Sequence, residues 1–171
     1  MKNFRFFRFF ITVTFLFICM MPSFLKGEVQ PATPTYGSAD EVMVNNSYVV
    51  KLALDLQPTI FINETDRFLY GSGNFLVVEC ALSQIQQLYD EDAIFSSVQL
   101  IRIKIEEGDD PFSLDLDLLQ SFPQLQYVWL IYLYDACNDE TDACLLEKTQ
   151  NSITSGNEEI TIIYSLSISQ K

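Results

Sequence analysis

Two stretches of this chain superpose without a gap when one is slid 27 residues along the other. Phe95-x-x-Val98-x-x-Ile101-x-Ile103 falls on Phe122-x-x-Leu125-x-x-Val128-x-Leu130. Steps of three residues belong to helical or 3₁₀ turns, and a final step of two belongs to a strand. The change of period therefore marks a turn-to-strand transition at the same point of both copies. Apolar runs rich in Val, Ile, Leu and Tyr recur at 48–56, 75–79, 99–105, 127–134 and 160–169, as strands would. Between them lie helix signals. Leu82, Ile85, Leu88 and Tyr89 share one face, a second helix is expected over 114–122 with Ser113 as cap and Pro123 as stop, and a third over 143–150. Strand, helix and strand at this spacing predict an α/β fold with a mostly parallel sheet. Residues 75–80 read either as a strand, which keeps the spacing regular, or as the start of a helix capped by Asn74.

The repeated segment resembles a leucine-rich repeat, whose period of roughly 20–29 residues pairs a strand with a helix or 3₁₀ turn. Phe75-x-Val77-x-x-Cys80 adds a third, shorter match, so the resemblance covers residues 75–134. Glu106 and Leu133 depart from it, standing where the family places Asn or Cys. Two architectures fit: a short leucine-rich-repeat-like solenoid, and an open α/β sheet with regular connections. The resemblance implies that Ile101, Ile103, Val128 and Leu130 point into the core. It then implies a binding face carrying Arg102, Lys104, Tyr127, Trp129 and Ile131, since strand neighbours alternate in direction. Trp and Arg are enriched at binding hot spots. The same residues also suit a central strand covered on both sides, with Trp129 as core.

Composition narrows the chemistry. The chain has 171 residues with 10 Lys+Arg, 23 Asp+Glu and no His. Without imidazole there is no Ser-His-Asp or Cys-His machinery and no His-held zinc. The net charge of −13 argues against a nucleic-acid partner, whose phosphates require cations. Lys2, Arg5 and Arg8 precede an apolar stretch at 9–21. Thirteen residues at ~1.5 Å rise cover about 20 Å, short of a ~30 Å bilayer core but suited to a signal peptide. Residues 1–27 therefore read as a cleaved leader, residues 28–46 as a flexible linker containing Pro31 and Pro34, and residues 47–171 as a single α/β domain with no membrane span. The leader removes four cations and no acid, leaving six cations against 23 acids.

Cys137 and Cys144 bracket a short polar segment, and in an oxidising compartment a disulfide closing it is expected. Cys80 sits in an apolar run and reads as a buried thiol. Two acidic groups have the oxygen density of a calcium loop without an EF-hand pattern: Glu106, Glu107, Asp109 and Asp110, and Asp135, Asn138, Asp139, Glu140 and Asp142. No catalytic motif and no cofactor signature is present. The sequence thus points to an exported, non-catalytic interaction domain with a protein or cell-surface partner. The alternatives are an exported enzyme using carboxylates or a metal, and a calcium-stabilised surface protein.

Overall fold

A computed structural model describes residues 33–137, 142–155 and 159–168, all within one compact unit. The leader expected over residues 1–27 lies outside the described residues. In chain order the elements are β1 (Thr35–Ser38), α1 (Ala39–Asn45), α2 (Ser47–Leu54), β2 (Thr59–Ile62), β3 (Arg67–Tyr70) and β4 (Val77–Ala81). Two 3₁₀ segments, Leu82–Leu88 and Ala93–Phe95, lead to β5 (Leu100–Ile105). Then come β6 (Leu114–Asp115), a 3₁₀ turn at Leu116–Leu118, β7 (Tyr127–Tyr132), α3 (Asp142–Ser152), β8 (Ile153–Ser155) and β9 (Thr161–Leu166).

Seven strands form one sheet in the order β1-β9-β7-β5-β4-β2-β3. Every pairing in it is parallel except β2 with β3. β6 and β8 make a separate parallel pair. The mixed α/β architecture with a mostly parallel sheet is thus the one expected. β2, β4, β5, β7 and β9 lie side by side in the order in which they occur in the sequence.

The 27-residue offset is the register between β5 and β7. β5 pairs with β7 from Leu100 opposite Tyr127 to Ile105 opposite Tyr132, always at that separation. The turns before the two strands match as well. The Val98 N–H donates to the Phe95 carbonyl at 3.0 Å, and the Leu125 N–H to the Phe122 carbonyl at 3.1 Å. Each strand is then entered through a shared carbonyl. Leu76 O accepts from Gln99 and Leu100, and Gln99 O accepts from Gln126 and Tyr127. The third short match does not follow the register, because Val78 and Cys80, not Val77, pair with Ile101 and Ile103.

The core lies between the sheet and the 3₁₀ layer. Ile60, Ile62, Val78, Cys80, Ile101, Ile103, Val128, Leu130 and Ile162 form its sheet side, and Leu82, Ile85, Leu88, Phe95, Leu116 and Phe122 close it from below. The opposite sheet face packs against α1 and α2 through Val77, Leu100 and Ile163. A sheet covered on both faces needs apolar side chains at successive positions, which accounts for the unbroken run in β7.

Several elements differ from the sequence reading. The run at 48–56 is a helix, α2, not a strand: Asn46 Oδ1 accepts from the N–H groups of Tyr48 and Val49, and Val49, Leu52 and Ala53 share its buried face. The supposed linker 28–46 holds β1 and α1 from Thr35 onward, because β1 finds a parallel partner in β9 and Ser38 caps α1. Residues 28–32 lie outside the described residues. The stretch at 114–122 is a two-residue strand and a 3₁₀ turn capped by Asp115, while Ser113 faces Thr154. The expected helix near 82–89 is 3₁₀, with Leu82, Ile85 and Leu88 buried at the three-residue spacing of that helix. Residues 77–80 of the ambiguous segment are strand, as part of β4. The third helix runs over Asp142–Ser152, close to the range expected.

Candidate binding face

Alternation along the strands places Arg102, Lys104, Trp129 and Tyr127 on the sheet face turned away from the 3₁₀ layer, while Ile101, Ile103, Val128 and Leu130 are fully buried on the other. Register extends this into rows that cross the sheet. One row runs Phe68, Phe61, Glu79, Arg102, Trp129, Ile163. The next, toward the strand C-termini, runs Ala81, Lys104, Ile131, Ser165.

Helices α1 and α2 cover only the N-terminal half of this face. Leu52 and Ala53 pack on Val77 and Leu100, with Tyr127 and Trp129 partly buried beside them. The Tyr127 hydroxyl accepts from Asn46 Nδ2 at 3.0 Å, and Trp129 Nε1 donates to Ser165 Oγ at 2.9 Å. Both aromatic rings are therefore engaged within the fold. The row from Ala81 to Ser165 lies beyond the helices and is half-buried throughout.

The two cations of the face are held by one carboxylate. Glu79 accepts Arg102 Nη2 at 2.7 Å and Lys104 Nζ at 2.5 Å. Arg102 Nη1 also donates to the Ala53 carbonyl at 3.2 Å, at the C-terminal end of α2, and its Nε is buried without a hydrogen-bond partner. Sequence reading singled out Arg102 and Lys104 but not Glu79, because the β4–β5 register differs from the 27-residue repeat.

Between the C-terminal ends of β2, β4 and β5 lies a cleft of about 570 Å³, lined by Phe61, Glu79, Cys80, Lys104, Glu106 and Asp109 among others. The carboxyl ends of parallel strands are the usual ligand position in open α/β sheets. Burial, and secondarily the Glu79 charge, push the Cys80 thiol up to about 12. A thiol raised in this way stays protonated at neutral pH, as expected of a buried cysteine.

The first acidic group is divided by the fold. Asp109 Oδ2 accepts the Glu106 N–H at 2.7 Å across a turn in which Gly108 has φ +106°. Asp110 instead meets Lys148 Nζ at 2.5 Å and the Tyr134 hydroxyl. Of the second group, Asn138, Asp139 and Glu140 lie outside the described residues. Among the described residues no set of three or more acidic or Cys side chains is arranged to hold a metal ion. The Cys137–Cys144 disulfide is formed, with Cα atoms 6.1 Å apart, and ties the segment after β7 to the first turn of α3. Among the described residues no helix is long and apolar enough to cross a membrane.

A third feature escaped the sequence reading. β3 is an edge strand with Phe68, Leu69 and Tyr70 exposed. Its only signal is a four-residue run after the polar turn at 63–66. Comparison with family models, curated proteins and solved structures finds no match for this chain.

Proposed function

We propose that this chain is an exported, non-catalytic binding domain. Its strands from β2 to β9 read as a short, irregular array of the leucine-rich-repeat kind, and it holds a protein or cell-surface partner on the face shared by Lys104, Ile131 and Ser165. The observation that carries this reading is the half-covered face. α1 and α2 shield the N-terminal ends of the strands and leave a row crossing β4, β5, β7 and β9 reachable from solvent. Arg102 and Trp129 serve this face from beneath, positioning Glu79 and Ser165. Export is supported by the leader-like composition of residues 1–27 and by the disulfide, which persists in oxidising compartments. The array is supported by the sequential strand order and by the turn geometry shared at Phe95 and Phe122.

The test is capture of a partner from the producing cell's surface fraction by the chain lacking residues 1–27. Lys104→Gln and Ile131→Thr should each reduce capture severalfold with little change in melting temperature. Capture unaltered by both substitutions would remove this face from the reading.

A further inference from the structure

We propose that the outer edge of β3 accepts an extended cationic peptide as an eighth strand of the sheet. This rests on the binding-domain reading and names the chemistry of the partner.

Among the described residues β3 has one neighbour, β2, in an antiparallel pair. The Asn63 N–H donates to the Asp66 carbonyl at the turn, which starts the alternation of that pairing. Phe68 and Tyr70 then exchange bonds with β2, while the N–H and C=O groups of Arg67 and Leu69 point away from the sheet. Exposed edges are normally blunted by charge, proline or a covering segment. Here the edge is apolar: Phe68, Leu69 and Tyr70 are 59, 45 and 43% exposed. An added strand would continue the row of Phe68 and Phe61 on the half-covered face, so it would extend the proposed binding surface.

The surrounding charge selects the occupant. The side chain of Arg67 is already engaged by Asp92, with Asp90 at 4.0 Å. Glu64 and Asp66 in the turn, and Glu91 between Asp90 and Asp92, are exposed acids that make no salt bridge among the described residues. A second copy of this chain would bring the same acids together on a molecule of net charge −13. A peptide alternating Lys or Arg with apolar residues matches both the acids and the exposed rings, in the manner of strand addition.

The probe is an acetylated lysine–valine alternating octapeptide, titrated onto the chain lacking residues 1–27, with a glutamate–valine octapeptide as control. The cationic peptide should bind, weaken as salt rises, and slow amide exchange at Arg67 and Leu69. Leu69→Pro removes an outward donor at an edge position where proline is tolerated, and should weaken binding tenfold or more. Glu64→Lys with Asp66→Lys, both at exposed sites, should weaken it comparably. Equal binding of the two peptides, or binding untouched by Leu69→Pro, overturns the proposal. A dimer of the free chain that Leu69→Pro dissolves also overturns it in favour of a second copy. If a native partner is captured equally by Leu69→Pro and wild type, only the strand addition fails. Capture reduced in Lys104→Gln and Ile131→Thr would then keep the binding-domain reading intact.

Discussion

Phe95 and Phe122 stack with ring centroids 4.5 Å apart and planes 17° from parallel. Each opens the turn that leads into its own strand, so this contact joins two copies of one local motif beneath the sheet. Both rings are buried, and Arg67 lies over the Phe95 ring at 5.0 Å. Phe122→Ala should cost about 3–5 kcal/mol in chemical denaturation, as large-to-small changes in a packed core do. The double-mutant cycle with Phe95→Ala should show a coupling of about 0.5–1.5 kcal/mol. Strict additivity would mean that the rings are buried side by side without mutual preference.

Glu79 gathers two cations, and its loss should be felt unequally. Glu79→Gln leaves Arg102 with its Nε unpartnered and its strongest acceptor gone, which should cost about 1–3 kcal/mol. Lys104→Gln removes a partner whose side chain is 43% exposed and should change stability by no more than ~0.5 kcal/mol. Equal costs in urea unfolding would refute the ranking.

Acid should loosen the β3 end of the sheet. The Ile94 N–H, followed by the Arg67 guanidinium, lowers the Asp92 carboxyl below its ordinary value. A carboxyl depressed in the folded state contributes stability that is complete above its unfolded pKa of about 3.9 and is lost as pH falls through the folded value. The melting-temperature gap between wild type and Asp92→Asn should therefore be constant from pH 5 to 8 and close below about pH 4. A gap that widened in acid would reverse the assignment.

Gly37 lies where α1 turns back onto β1. A Cβ there would meet Val42 Cγ2 at 2.6 Å, against a β-branched side chain that has little room to rotate. Gly37→Ala should cost about 1–3 kcal/mol, and adding Val42→Ala should recover most of it. Failure of the second substitution to rescue the first would place the strain elsewhere.

What the sequence reveals of this fold follows the range of the forces involved. β5 and β7 were legible because both copies of the motif carry the same residues at the same spacing, and register between neighbours preserves that spacing. α2 was read as a strand because Val49, Val50 and Leu52 favour strands locally, and the one contrary sign, Asn46 as a cap, sits just before the run. β1 was missed altogether. Thr35 and Tyr36 favour strands, but a four-residue run containing Gly37 is too short to be told from a loop, and its parallel partner β9 lies far along the chain. The cations of the candidate face were legible as residues, whereas their neutralisation by Glu79 depends on the β4–β5 register, which no local pattern encodes.

The pairing of β1 with β9 also sets a clock on assembly. Among the described residues the first strand in chain order has its berth on the last, so β1 has no place in the sheet until residue 166 is made. A ribosome delivers roughly 5–20 residues each second, which leaves the N-terminal strand unpartnered for several seconds.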